Sequence, residues 1–286
     1  MYFNTEEEIT VIIIDNGSYN VKAGITTSDK EMPDVAGLNI AACYSGEEEF
    51  VLVANNVLDH AKEMNVVRPF VNGRLNNKKT LENVINSVVH DGLNTDPSGQ
   101  RMILTEDFFD SDNVRTFMSE IAFEKMNVSD LYIERPAILE EKCLLINEGV
   151  VVHFGDSMLR ILPFHDDGKD DFRHIVDYKH STLINYGGST ITQELQKRLF
   201  TRYPFLHDEN PTILYHKMDL LKQQFCYVAE DIEQEKNKSY DDLKAEYQLN
   251  DGTTIEVGKE RYEVPEMIFN SQILHELGKN IDPIQI

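Results

Sequence analysis

The 286-residue sequence has no tryptophan and only three cysteines. Cys43, Cys143 and Cys226 stand far apart and outside any C-x-x-C spacing, so neither a disulfide framework nor a zinc site is indicated. Buried small hydrophobes are the expected role for all three. Basic residues are scarce as well: 27 Lys and Arg face 50 Asp and Glu, a formal net charge of −23. Such a surface repels nucleic-acid phosphates and anionic membranes, which argues against direct binding to either. No apolar run approaches the ~18 residues of a membrane span. The N-terminal MYFNTEEE lacks a basic start followed by an apolar stretch, so the expected location is the cytosol or nucleus. No low-complexity linker interrupts the chain, so any second domain is expected to be joined tightly to the first.

The length allows a large core and about two domains. At Val11 to Gly24, VIIIDNGSYNVKAG, a β-branched run enters a polar turn at Asp15, Asn16, Gly17 and Ser18, and a second extended run follows. This predicts a hairpin whose turn offers backbone N–H groups, a hydroxyl and Lys22 to an anion. The region around 29–70 is poor in periodicity and reads as a small peripheral subdomain. Leu81, Val84, Ile85, Val88 and Val89 fall on one helical face ended by Gly92. Met102 to Thr105 reads as a buried strand. Asp112 or Asn113 is positioned to cap a helix whose stripe is Val114, Phe117, Met118, Ile121 and Ala122. A short strand at Leu131 to Ile133 and a helix from Ala137 to Ile146 follow.

At Val150 to Leu162, VVVHFGDSMLRIL, the chain repeats its opening: apolar strand, Gly-Asp turn, apolar strand. This self-similarity suggests duplication into halves 1–146 and 147–286, with two hairpins able to clamp a phosphate chain from both sides. After the break at Asn185 to Gly188, helices are expected through Ile191, Leu195 and Leu199, and through Leu214, Met218, Leu221 and Phe225. Asp251-Gly252 between apolar runs predicts a further hairpin.

The motif DNGSxxxKAG at Asp15 to Gly24, FCYVAEDIEQE at Phe225 to Glu235 and YQLNDGTTIEVGKER at Tyr247 to Arg261 together resemble the actin family, in the family's order. The resemblance runs from about Val11 to Phe269. It implies the duplicated α/β fold shared by actin, heat-shock chaperones and sugar kinases, here lacking its C-terminal part, with ATP or ADP and Mg2+ between two halves. By that carry-over Gly17, Ser18 and the neighbouring N–H groups meet phosphate oxygens, Lys22 adds positive charge, and Asp15 faces the metal through water. Gly155 and Asp156 belong to the second phosphate turn, Gly188 and Lys222 to the nucleoside site. The plain alternative is that Asp15 and Ser18 cap a turn, Lys22 is a solvated strand residue and Lys222 an exposed helix lysine.

The chain departs from the family pattern in ways that bear on chemistry. Tyr19 replaces the second glycine of DNGSG, putting a large side chain where close backbone approach is usual. The family's DSGDG reads His153, Phe154, Gly155, Asp156, Ser157, and an imidazole cannot replace a carboxylate in holding the waters of Mg2+. YIERPAIL aligns with the family's YVAIQAVL, which puts Pro136 where a glutamine positions the attacking water. Hydrolysis is therefore expected to be impaired or absent, and nucleotide binding weak. Polymerisation is disfavoured by the altered Ser271 to Lys279 near the family's filament plug. The leading expectation is a structural or interaction subunit of a cytoskeletal or actin-containing assembly, with actin or subunits of such a complex as partners. The alternatives are an ATP-binding filament protein with slow ATPase, a sugar-kinase-like phosphotransferase, for which no carboxylate base beside an open cleft is visible, and a fragment without independent function.

Overall fold

In a computed structural model, residues 10–26, 31–44, 46–47, 50, 52–58, 64–71, 73–106, 111–144, 148–166, 174–177, 179–249 and 252–269 are described. The expectation for Ser271 to Lys279 lies outside them. The chain forms two compact units, Met1–Leu183 and Ile184–Ile286. This division follows compactness, whereas the halves 1–146 and 147–286 were drawn from the repeat of the hairpins.

The first unit begins with strands β1 (Val11–Asn16) and β2 (Asn20–Ile25), antiparallel as the hairpin motif requires. β2 pairs in turn with β3 (Val35–Leu38). A small three-stranded sheet is made by β4 (Ala41–Tyr44), β5 (Leu52–Val53) and β6 (Met64–Val67). The two-residue strands β7 (Phe70–Val71) and β8 (Arg74–Leu75) pair with each other. Only part of the region around 29–70 therefore stands apart, since β3 extends the main sheet.

Helix α1 (Lys78–Ser87) starts where the Asn77 side chain accepts from the Thr80 N–H and continues through one π turn to Gly92. All five residues of its apolar face are buried. Strand β9 (Arg101–Thr105) runs parallel to β1. α2 (Ser111–Glu120) begins at Ser111, so Asp112 and Asn113 sit in its first turn rather than capping it. β10 (Asp130–Glu134) pairs parallel with β9, completing a mixed sheet in the order β10-β9-β1-β2-β3. Ile12, Ile14, Val21, Ala23, Met102 and Leu104 share one core with the stripes of α1 and α2.

α3 (Pro136–Leu144) has its proline at the first position, where a missing N–H costs nothing; it ends short of the expected Ile146, and 145–147 lie outside the described residues. β11 (Glu148–Phe154) and β12 (Leu159–Asp166) form the second antiparallel hairpin, joined at its edge by β13 (His174–Val176). Ala137 and Ile138 of α3 pack on Val151, Leu162 and Phe164. β14 (Thr182–Ile184) follows.

In the second unit α4 (Gly188–Arg202) and α5 (Pro211–Phe225) bury Ile191, Leu195, Leu199, Leu214, Met218 and Leu221 in one core. Short helices α6 (Ile232–Lys236) and α7 (Tyr240–Leu243) lead to the hairpin of β15 (Ala245–Gln248) and β16 (Thr254–Val257), then α8 (Glu260–Glu263). The expectation for the cysteines holds at Cys43, which is buried; Cys143 is exposed on α3 and Cys226 is half-buried. No helix among the described residues is long and apolar enough to cross a membrane.

Because Ile14 is fully buried in the central strand while its neighbour Ile13 is 37% exposed on the opposite face, the two should respond differently to truncation. Ile14→Ala is expected to cost about 2–5 kcal/mol in urea unfolding, and Ile13→Ala well below that.

Candidate functional site

The turns of both hairpins line one cavity of about 240 Å³ within the first unit. Asp15, Gly17, Ser18, Tyr19 and Lys22 border it from the first hairpin, Gly155 and Asp156 from the second, and Pro136 from the start of α3. Seven of the nine candidate residues are thus brought together. Gly188 and Lys222 lie in the second unit and meet each other there.

In the first hairpin the ladder pairs Asp15 with Lys22, setting a carboxylate and an ammonium side by side at the cavity. The Thr105 hydroxyl at the end of β9 donates to Asp15 Oδ1 (2.8 Å) and accepts from the Asn16 N–H (2.7 Å). The turn that follows needs its glycine, because a Cβ on Gly17 would stand 2.7 Å from the Asn20 carbonyl oxygen. Asn39 clasps the turn from outside, its side-chain amide donating to the Gly17 carbonyl and its backbone N–H to that of Tyr19. The Tyr19 ring is buried beneath the Arg68 guanidinium, 5.0 Å from the ring centre, so the bulk that replaces glycine is packed into the protein. Asn16 also lines the cavity and is 9% exposed, yet neither end of its side-chain amide has a hydrogen-bond partner among the described residues. Buried amides are ordinarily satisfied.

The second hairpin carries a different charge pattern. His153 and Arg160 face each other across the ladder, and both line the cavity. His153 Nδ1 lies 2.8 and 3.0 Å from the two carboxylate oxygens of Glu140 on α3. An ionised carboxylate only accepts, so Nδ1 carries the proton. The His153 hydrogen bond holds the Glu140 carboxyl below its usual value, helped by the charges of His153, Arg160 and Lys22 and opposed by burial. Arg160 is 6% exposed, and its Nη1 lies 3.4 Å from where a Cβ on Gly155 would stand, so the guanidinium reaches the turn. Glu106, also at the cavity, is fully buried and held by a forked bond from Arg115. Asn16 read only as part of the turn motif, and Glu106, Glu140 and Arg160 had no individual signal in the sequence, because their roles come from how separate elements are oriented.

A hydrated Mg2+ is held through one or two carboxylates, and Asp15 and Asp156, both at the cavity, are the residues that would face its waters. One Asp15 oxygen is bonded to Thr105, Glu106 is neutralised by Arg115, and the expected acidic position of the second hairpin is His153, with Arg160 across the ladder. No cluster of three or more His, Cys, Asp or Glu side chains among the described residues is placed to ligate a metal.

In the second unit the Lys222 side chain is 17% exposed, not the exposed helix lysine of the plain alternative. Its ammonium contacts Asp219 Oδ1 (2.6 Å) and donates to Thr192 Oγ1 (2.8 Å) and the Gly188 carbonyl (3.2 Å). The Gln223 amide donates to the second Asp219 oxygen at 2.6 Å. Burial favours this pairing, since a buried carboxylate without a counter-charge is costly.

Two similar hairpins on two separate sheets, the first of them mixed, turn toward one cavity, the arrangement of an actin-like fold. The chain belongs to the actin family, whose model, Actin, matches residues 6–283. It is 30% identical over 278 residues to Actin-related protein 2 of Acanthamoeba castellanii, covering 92% of this chain and 68% of that protein. Similarity to the Actin-related protein 2 of Schizosaccharomyces pombe is 27% over 277 residues, covering 93% and 68%, and to that of Arabidopsis thaliana 24% over 273 residues, covering 92% and 68%.

Two outcomes are expected. Since the His153 hydrogen bond depresses the Glu140 carboxyl below its ordinary value in the fold, the His153 pair adds stability above the unfolded value and loses it as pH falls through the folded one. Glu140→Gln should flatten that acid limb in urea titrations run across the window; an unchanged slope would contradict the pairing. Lys222→Met should cost about 3–5 kcal/mol by stranding the buried Asp219, with or without nucleotide, and the double variant Asp219→Asn, Lys222→Met should recover much of it.

Proposed function

We propose that this chain is a structural subunit of an actin-containing assembly, working in the cytoplasm or cytoskeleton, whose cavity holds ATP or ADP weakly and does not turn it over. One observation carries the reading: Pro136 borders the cavity at the first position of α3, beside a turn still furnished with Ser18, Lys22 and backbone donors. Phosphoryl transfer to water needs a group that orients the water, and proline offers neither amide nor carboxylate. The cradle is kept and the positioning group is gone. Gly17, Ser18, Lys22, Gly155 and Asp156 are assigned to the phosphates. Gly188 and Lys222 are assigned to holding the helix start in the second unit, with any nucleoside contact secondary to the Asp219 pair.

The likeness to proteins named Actin-related protein 2 favours an actin-associated role over phosphotransfer to a small molecule. Val150, Val152 and Phe154 form an outward apolar row on β11, 58%, 59% and 41% exposed, of the kind that protein partners cover. Actin or subunits of an actin-containing complex are the partners this reading calls for.

High-speed sedimentation in polymerising salt tests it. The chain alone should stay in the supernatant with ATP present and should enter the pellet when actin, or an actin-containing complex, is added. Pelleting by itself, dependent on Mg-ATP, would support the alternative of a filament-forming ATP-binding protein; failure to pellet in any mixture would contradict the subunit role.

A further inference from the structure

We infer that the free edge of β11 and its outward apolar row take a strand–helix segment of a protein partner, the strand laid parallel to β11 and the helix packed over Val150, Val152 and Phe154. This rests on the reading of the chain as a subunit, and it names the surface by which that subunit docks.

The internal repeat of the hairpins supplies the template. Aligned on Gly17 and Gly155, the two hairpins share one register: Asp15 pairs with Lys22 as His153 does with Arg160, and Ile14 with Ala23 as Val152 does with Ile161. Val150 and Val152 therefore occupy the positions of Ile12 and Ile14. In the first hairpin those two residues are fully buried, with β9 running parallel beside β1 and the stripes of α1 and α2 packed on its core face. In the second they are 58% and 59% exposed. A row with the character of a core lies bare among the described residues.

The backbone is open at the same place. β1 lies inside its sheet between β9 and β2, whereas β11 pairs with β12 alone among the described residues. An edge strand offers unpaired N–H and C=O groups, and natural edges are commonly blunted by proline, lysine or a bulge. β11 has neither proline nor lysine, and its ladder against β12 runs without a bulge from Glu148 to Phe154. Its other face is taken, because Val151 packs with Leu162 and Phe164 against α3.

What completes β1 defines what would complete β11. The strand needs alternate apolar residues, as Met102 and Leu104 provide on β9, and the helix an apolar stripe, as Val114 and Met118 provide on α2. In such a strand addition main-chain bonds give affinity and alternate side chains give specificity. Charge selects the remainder of the segment. Glu148 is exposed at the start of β11 and the chain carries a net charge of −23, so Lys and Arg outside the apolar stripe complement this surface, and a second copy of the chain does not.

Hydrogen exchange read by mass spectrometry on the full chain, free and mixed with actin or a purified actin-containing complex, tests the inference alongside co-sedimentation of Val152→Asp. In the free chain β11 should exchange about tenfold or more faster than β1, and in the complex it should slow toward the rate of β1. Val152→Asp, at an exposed position, should keep the native unfolding transition and weaken co-sedimentation about tenfold. If β11 in the free chain is already as slow as β1 at every concentration, the chain's own residues close the edge; slowing that grows with chain concentration and vanishes in Val152→Asp assigns it to a second copy. Either result overturns the partner segment. Co-sedimentation with β11 left unprotected, or with Val152→Asp binding like the wild type, also overturns it while leaving the subunit role in place. Failure to co-sediment in any mixture overturns the subunit role and the inference with it.

Discussion

A single hydroxyl organises the cavity. Thr105, buried at the end of β9, gives its proton to Asp15 and takes one from the Asn16 backbone, tying the last residues of β1 to the neighbouring parallel strand. Where β1 ends decides where the turn begins, and with it which backbone donors face the cavity. The cross-strand placement of Lys22 opposite Asp15 follows from the same register. A slip by one residue would send the cavity-side set to the core face, where Ile12, Ile14, Val21 and Ala23 are packed against α1 and α2. Core packing and site geometry are therefore fixed by one ladder.

The second hairpin carries a different charge pattern from the first on an equally regular ladder. The ladder from Glu148 to Phe154 against Leu159 to His165 is regular, and the Gly155 turn closes through its N–H to the Met158 carbonyl. What differs is the side chains on the cavity side of the ladder. His153 turns to Glu140, and Arg160 is held beneath the turn. On the proposed reading the cavity keeps Lys22 and Arg160 beside Asp15 and Asp156, while Pro136 leaves it without a group to direct water. Retained binding with lost turnover is what the proposed function expects of these substitutions.

Much of this was legible in the sequence where the signal is local. The apolar face from Leu81 to Val89, the stripe from Val114 to Ala122 and both hairpins have the periodicities their packing demands, and the structure places them as read. The internal repeat of the hairpin pattern supplied the pairing of two distant turns around one cavity. The rest depended on contacts between residues far apart. Lys222 read as a nucleoside-site residue by resemblance, with an exposed helix lysine as the alternative, because its partners include Thr192, thirty residues away, and nothing along α5 signals a buried Asp219. Cys143 read as buried because hydrophobicity does not reveal which face of α3 meets β11. β3 was hidden in an aperiodic stretch since a four-residue strand pairing with β2 carries too little alternation to register. The His153–Glu140 bond was out of reach for the same reason, joining a strand to a helix through their orientations.

The central claim, a phosphate cradle without a hydrolytic centre, is tested most directly by single-turnover phosphate release, with the chain in excess over labelled ATP and conventional actin measured in parallel. The account predicts that the ATP is recovered intact, in magnesium and in EDTA alike. Phosphate released at the rate of conventional actin would contradict it.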